Sequence, residues 1–294
     1  MSTPALPGAE SAAETFENLR PRLIGVAYGL LGSVSDAEDV VQDAWIRLQG
    51  TDIDSIDDLT GWLVTTTSRL ALDVLRSARV RRESYVGPWL PEPVETAPDP
   101  ADSVGLADSV SWAMLVVLET LSPAERAAFV LHDLFGLSFD EVGTALGRAP
   151  AACRQLASRA RSHVQERRPR FDVDPSAHHD IVDAFAAASM SGDLGGLLRV
   201  LAPDAVLTAD GGGIVQAARH PIVGAAKIAA FLAGISKRHG PEKAMRTTIV
   251  NHNPALLVFL GDHLDGMVAL TISDGLIVAI DYVRNPEKLT HVHG

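Results

Sequence analysis

Two clusters of arginine are the residues best suited to chemistry with a partner. Arg76, Arg79, Arg81 and Arg82 form one, and Arg148, Arg154, Arg159, Arg161, Arg167, Arg168 and Arg170 form the other. A guanidinium is a planar fork that pairs bidentately with phosphate and with guanine edges. Both clusters stand in an acidic background, with a formal net charge of -12. That balance argues against free, non-specific nucleic-acid binding, which depends on neutralising phosphates. It leaves room for a protein that meets DNA only inside a larger complex. Residues 1–170 contain no lysine, and a coding bias toward arginine would leave the same signature. The opposite charge gathers at Glu38, Asp39 and Asp43, which with Gln42 and Ile46 make either a solvated acidic face or a docking face for a basic partner. Cys153 is the single cysteine, so there is no disulfide framework and no cysteine metal site.

These groups need elements to position them. At 294 residues and 47% hydrophobic, the chain has room for two or three units with real cores. Residues 1–13 read as disordered. Helical periodicity runs from Thr15 to about Arg82. Within it, Val40, Val41, Ala44, Trp45 and Leu48 mark one core face between Asp36 and Leu48. Trp62, Leu63, Leu70, Leu72, Val74 and Leu75 supply core candidates in a helix from Gly61 to Arg82. Residues 86–108 form a Pro-rich acidic linker, and helical patterning resumes from Val110 to Gln165. After residue 175 the text changes to helices at His178–Met190, Leu194–Leu201 and Ala225–Arg238. Strands are expected at Ala205–Ala209, Arg246–Asn251, Ala255–Leu260, Gly266–Ser273 and Leu276–Val283, with Asp210-Gly211 and Asp274-Gly275 as turns. Ser35, Ser122 and Ser138, each followed three residues later by Glu, read as capping boxes. No basic-then-apolar leader and no long apolar span is present, so a cytoplasmic protein without a membrane segment is expected.

Ser138–Leu146, the turn Gly147–Pro150 and Ala151–Val164 read as a helix-turn-helix. Cys153, Leu156, Ala157, Ala160 and Val164 form its inward stripe, which makes Cys153 a core residue. Arg154, Gln155, Ser158, Arg159 and Arg161 point elsewhere. A plain helical hairpin is the alternative. In the first unit, hydroxyls and arginines near Trp62 suit the capture of unstacked single-stranded bases. Ordinary packing of Trp62, and arginines complementing a helix C-terminus, are the alternatives.

Two stretches carry a resemblance. SDAEDVVQDAWIRL followed by GWLVTTTSRLALDVLRSARVRRE is similar to region 2 of extracytoplasmic-function sigma factors, and LSPAERAAFVLHDLFGLSFDEVGTALG with the following helix resembles region 4. The resemblance implies that Asp39, Gln42, Asp43 and Ile46 dock on the β′ clamp helices of core RNA polymerase, with the β flap as a second contact. It implies that Trp62, Thr66, Arg69, Arg76 and Arg79 meet the promoter -10 element. The loop Thr51–Leu59 would then hold a flipped base. Arg148, Ala151, Ala152, Arg154, Gln155, Ser158 and Arg159 would read the -35 element.

The third unit resembles a SnoaL-like domain, a cone-shaped α+β fold, through HDIVDAFAAASMSGDLGGLLRVLAPDAVLTADGGG. A subgroup of the sigma class carries such an extension and is marked by three motifs. Here they read WLPEP (Trp89, Leu90, Pro91, Glu92, Pro93), Asp210-Gly211-Gly212-Gly213, and Asn285-Pro286-Glu287-Lys288-Leu289, with Ile214 where the subgroup usually has Lys. The resemblance implies intramolecular regulation in place of an obligatory separate anti-sigma protein. The expected organisation is a disordered terminus (1–13), sigma region 2 (14–85), linker (86–108), sigma region 4 (109–168), SnoaL-like domain (176–284) and tail (285–294). Catalysis, cofactors and metals are not expected. Asp210, His252, Asp262, His263 and Asp281 are the only carboxylates and imidazoles singled out as cavity bases, and no spacing pairs them. His291 and His293 are terminal and read as solvent-exposed. Two other readings stay open: a one-component helix-turn-helix regulator governed by a ligand in the cavity, and a small-molecule isomerase or cyclase with a DNA-binding appendage.

Overall fold

A computed structural model describes residues 7–83, 85–96, 110–167 and 175–292. They fall into two compact units. The first takes the described residues within Met1–Arg81, Asp99–Val110 and Val117–Arg167, and the second those within Arg82–Pro98, Ser111–Val116 and Arg168–Gly294.

The first unit is all helical. Its elements are α1 (Pro7–Leu31), α2 (Val34–Gln49), α3 (Leu59–Glu83), the end of α4 (Trp112–Leu118), α5 (Pro123–Phe129), α6 (Phe139–Leu146) and α7 (Pro150–Arg167). The expected disorder of 1–13 is corrected, since α1 begins at Pro7 and buries Ala12 and Phe16. Burial of one stripe against neighbouring helices decides such an element, more than its unremarkable composition does. Residues 1–6 lie outside the described residues. Ser122 and Ser138 close their capping boxes with Glu125 and Glu141. The third start is shifted. Ser33, not Ser35, caps α2 and accepts from the Asp36 amide, because Gly32 turns the chain in the left-handed region just before it. One π-helical turn at Val130–Leu134 separates α5 from the helix-turn-helix.

The second unit is α+β. Helices α8 (Pro175–Ser191), α9 (Leu194–Val200) and α10 (Ala225–His239) accompany strands β1 (Leu201–Asp210), β2 (Ile222–Val223), β3 (Lys243–Val250), β4 (Asn253–Leu260), β5 (His263–Ser273) and β6 (Leu276–Val283). The strand order is β2-β1-β6-β5-β4-β3, with β1 and β6 parallel and the other pairs antiparallel. Helix residues such as Val182, Phe185, Ile228 and Leu232 cover one face, against Leu256, Val258, Val268 and Leu270. The residues between them, Leu257, Phe259, Met267 and Ala269, point the other way into a second cluster. Both faces of the central strands are therefore buried, which is why residues 255–260 read as one unbroken apolar run.

That second cluster is completed by residues outside the sheet. Leu90 from the linker, Trp112 from α4, and Leu289 and Val292 from the tail all lie in it. Each such side chain contributes about 1.5–3 kcal/mol when fully buried. The described part of the linker also hydrogen-bonds to the sheet edge. Glu95 bridges Val250 antiparallel, the Thr96 amide donates to the Ile249 carbonyl at 2.9 Å, and Asn251 exchanges bonds with Val94. An edge strand with unpaired backbone groups is a liability, and here the linker covers the end of β3.

Candidate functional site

The acidic face of α2 is laid out as the sequence suggests. Val40, Val41, Ala44 and Leu48 are buried, and Trp45 is half-buried with its ring 4.8 Å from that of Phe16. The opposite side exposes Asp39, Gln42 and Asp43, with Ile46 at 54% exposure.

On α3 the picture is mixed. Asp58 caps the helix, accepting from the Gly61 amide at 3.0 Å, and the preceding loop carries a short 3-10 turn at Ile53–Ser55. Trp62 and Thr66 are half-buried and Arg69 is exposed. Thr67 and Ser68 face inward and are fully buried, so they are not part of a hydroxyl-lined surface. Arg76 is exposed and pairs with Asp73 at 3.2 Å, one turn away. The side chain of Arg79 lies outside the described residues. Arg69 Nη2 donates to the Thr144 carbonyl of α6 at 2.7 Å. A second tie is deeper. Arg126, 1% exposed, donates to the Gly29 carbonyl of α1 at 3.2 Å and pairs with Glu119.

The helix-turn-helix has the local geometry its sequence asks for. Gly147 sits at φ 65 and ψ 37, the left-handed conformation that a side chain resists, and closes α6 onto the Gly143 carbonyl. Cys153, Ala157, Ala160 and Val164 are buried, and burial pushes the Cys153 thiol upward, as befits a core residue. Arg148, Ala151, Arg154, Gln155, Ser158 and Arg159 are exposed and Ala152 is half-buried. Arg161 is engaged by Asp133 at 2.6 Å.

In the second unit the three motifs converge on one carboxylate. Asp210 ends β1 with no solvent exposure. Its Oδ1 accepts from the Tyr85 hydroxyl at 2.7 Å and from the Gly212 amide at 3.0 Å. Its Oδ2 accepts from the Leu90 amide at 2.8 Å and from Lys288 Nζ at 2.7 Å. Lys288 also donates to the Leu90 carbonyl, and its ammonium lies 3.9 Å from the centre of the Trp89 ring. Asn285 Nδ2 donates to the Tyr85 hydroxyl at 3.0 Å. Burial, reinforced by Asp210, pushes the Tyr85 phenol far above its ordinary value, so it stays a neutral donor. Four donors on one buried carboxylate, with a cation among them, is the arrangement that makes a buried charge tolerable.

The glycines have specific work here. Gly212, at φ 64, lies against the Asn285 side chain, and Gly213, at φ 75, against Val86; a Cβ at either would crowd those groups. Ile214 is 54% exposed. Pro91, Glu92 and Pro93 are buried, and Trp89 is half-buried rather than exposed. WLPEP therefore packs within its own chain, with Leu90 in the second hydrophobic cluster.

The cavity-base candidates do not assemble. Asp210 is consumed by the cluster above. Asp281 is fully buried on the opposite face of the sheet from the helices, accepting from Trp112 Nε1 at 3.0 Å. Asp262 is exposed in a turn, His263 is exposed at the start of β5, and His252 occupies the Asn251-His252 turn at φ 61. Among the described residues no group of His, Cys, Asp and Glu could hold a metal ion. His291 is half-buried and His293 lies outside the described residues.

Comparison with known proteins agrees with this geometry. Residues 15–81 match the model for Sigma-70 region 2, and residues 111–164 that for Sigma-70, region 4. The chain is 42% identical over 288 residues to the ECF RNA polymerase sigma factor SigJ of Mycobacterium tuberculosis, covering 94% of this chain and 92% of that one. It is 38% identical over 276 residues to the probable ECF RNA polymerase sigma factor SigI of the same species, covering 92% of each. The crystal structure of the Mycobacterium tuberculosis SigJ aligns with a TM-score of 0.75 at 38% identity, covering 95% of this chain and 98% of that one. The chain belongs to the extracytoplasmic-function sigma factors.

This sigma factor therefore directs promoter recognition and transcription initiation, with core RNA polymerase and promoter DNA as its partners, and is not an enzyme. Its fold is two helical sigma regions and a SnoaL-like α+β domain. Sequence reasoning missed Tyr85, Trp112, Arg126 and Asn251 as structural contacts. Tyr85 stands four residues before Trp89, and that proximity was its one signal. The others act through partners more than 90 residues away.

Proposed function

We propose that this sigma factor docks on the β′ clamp helices through Asp39, Gln42, Asp43 and Ile46. An exposed isoleucine ringed by acids suits a basic partner with an apolar contact, the charges steering and the side chain anchoring. Region 4 takes the β flap, Arg148, Ala151, Ala152, Arg154, Gln155, Ser158 and Arg159 face the -35 element, and Trp62, Thr66, Arg69, Arg76 and Arg79 face the -10 element. It works where the polymerase works, in the cytoplasm.

The SnoaL-like domain regulates this activity by gripping the segment that joins region 2 to region 4. Region 2 and region 4 read separate promoter elements, so the connection between them must be free to extend. The observation that carries the reading is the Asp210 carboxylate, which binds Tyr85 and the Leu90 amide while Lys288 locks both from the tail. Arg69, a -10 residue, is meanwhile occupied by the Thr144 carbonyl. A restraint built into the chain takes the place of a separate anti-sigma protein. Transcription in vitro from a cognate promoter, with core polymerase and either wild type or Lys288→Met, tests this. The variant should change specific transcript yield several-fold; equal yield would overturn the regulatory reading.

A further inference from the structure

The second unit holds a cavity, open to solvent, of about 380 Å³ that takes no part in the contacts above. Its volume lies within the range of small-molecule sites, about 300–1,000 Å³. Ala217, Ala218, Phe231, Ile235, Val258 and Leu260 give it apolar walls. Its polar lining is Lys243, Arg238, Arg284, Asp265, Tyr282 and Gln216.

The polar groups are unevenly satisfied. Asp265 is fully engaged: Arg284 grips both of its oxygens and the Tyr282 hydroxyl donates to one of them. Arg284 is further tied to the Gln216 carbonyl. Lys243 is different. It is 6% exposed at the start of β3, and among the described residues no group accepts a hydrogen bond from its ammonium. Burial pushes it below the ordinary lysine value, against the opposing pull of Asp265. Three cations and one carboxylate leave the lining positive. An ammonium that faces a cavity between apolar walls is a favourable partner for an anion, through a charge-assisted hydrogen bond.

We propose that this cavity binds a small, largely apolar organic acid, whose carboxylate meets Lys243 and Arg238 and whose hydrocarbon body lies against Phe231, Ile235 and Val258. The site binds and does not convert, because Asp265, the one carboxylate in it, has both oxygens occupied. The site is well placed to act on the regulatory contact. Ala209 lines the cavity and the next residue is Asp210; Arg284 lines it and the next residue is Asn285. This last step, and only this one, rests on the proposed regulation.

Calorimetry on the full-length protein would use octanoate and 4-phenylbutyrate, each against its matched alcohol, 1-octanol and 4-phenylbutanol. An acid should bind at least about tenfold more tightly than its alcohol, the scale of one charge-assisted hydrogen bond. Lys243→Met should abolish that preference while the alcohol binds as before. Arg238→Met, at an exposed position, gives an independent readout should the first variant fold poorly, and should lower acid affinity several-fold. Equal binding of acid and alcohol, no binding of either acid, or an acid preference unchanged in both variants overturns the proposal. Acid binding with no change in promoter output would leave the site standing and refute only its link to regulation.

Discussion

Asp210 and Lys288 form a pair whose value depends on both partners being present. Their side chains are 0% and 7% exposed, and 78 residues separate them in the chain. Removing one member of a buried ion pair strands the other charge, at a cost of about 3–5 kcal/mol. Lys288→Met should therefore destabilise the second unit by about that much in denaturant titrations, and Asp210→Asn added to it should recover part of the loss. Asp281 makes a different prediction. Burial pushes its carboxyl up to about 6, offset in part by the Trp112 hydrogen bond. The folded state thus keeps the proton that the unfolded chain releases near pH 4, so stability falls as pH rises from about 4 to 6. The deficit above pH 6 is about 3 kcal/mol for a shift of this size. Asp281→Asn keeps an acceptor for Trp112 and removes the titration. It should raise stability at pH 7.5 by about 2–3 kcal/mol, and the difference should vanish below pH 4. An equal gain at both pH values would contradict the assignment.

Among the elements, α2 and the helix-turn-helix were legible because their information is local. A 3.6-residue period separates Val40, Val41, Ala44 and Leu48 from Asp39, Gln42, Asp43 and Ile46, and burial follows it. Ser138, Glu141 and Gly147 bound α6 through contacts spanning only a few residues. The misplaced cap shows the limit: Ser33 and Ser35 are both acceptable, and the left-handed Gly32 chooses between them. Because Asp39 and Asp43 touch nothing in the core, Asp39→Arg with Asp43→Arg should leave folding within about 0.5 kcal/mol of wild type. The same pair should abolish binding to core polymerase in a pull-down. Retained binding would end the docking assignment.

At the scale of the whole molecule, the SnoaL-like domain does not close its own core. Leu90, Trp112, Leu289 and Val292 finish the face of the sheet that the helices leave open. Removing residues 285–294 takes away Lys288 and two of those side chains at once. That truncation should lower the thermal midpoint and alter promoter output. Removing residues 175–294 instead leaves the helical unit with its own core, and should give a phenotype distinct from the shorter deletion. Equal activity of the full chain and both truncations would refute a regulatory extension.

The sequence by itself determined the elements and their order: the period of α2, the capping boxes at Ser122 and Ser138, the glycine turn of the helix-turn-helix, and β6 to the residue. Such features depend on neighbours within one or two helical turns or one strand pair, so composition and spacing encode them directly. Only the tertiary structure decided that the first part of the Pro-rich linker, through Thr96, is part of a folded unit. It alone gathered WLPEP and Lys288 around the Asp210 carboxylate, and placed Lys243 in the lining of a cavity with apolar walls. Those outcomes depend on which strand lies beside which and which face each residue takes, and no local pattern records a contact between residues a hundred positions apart.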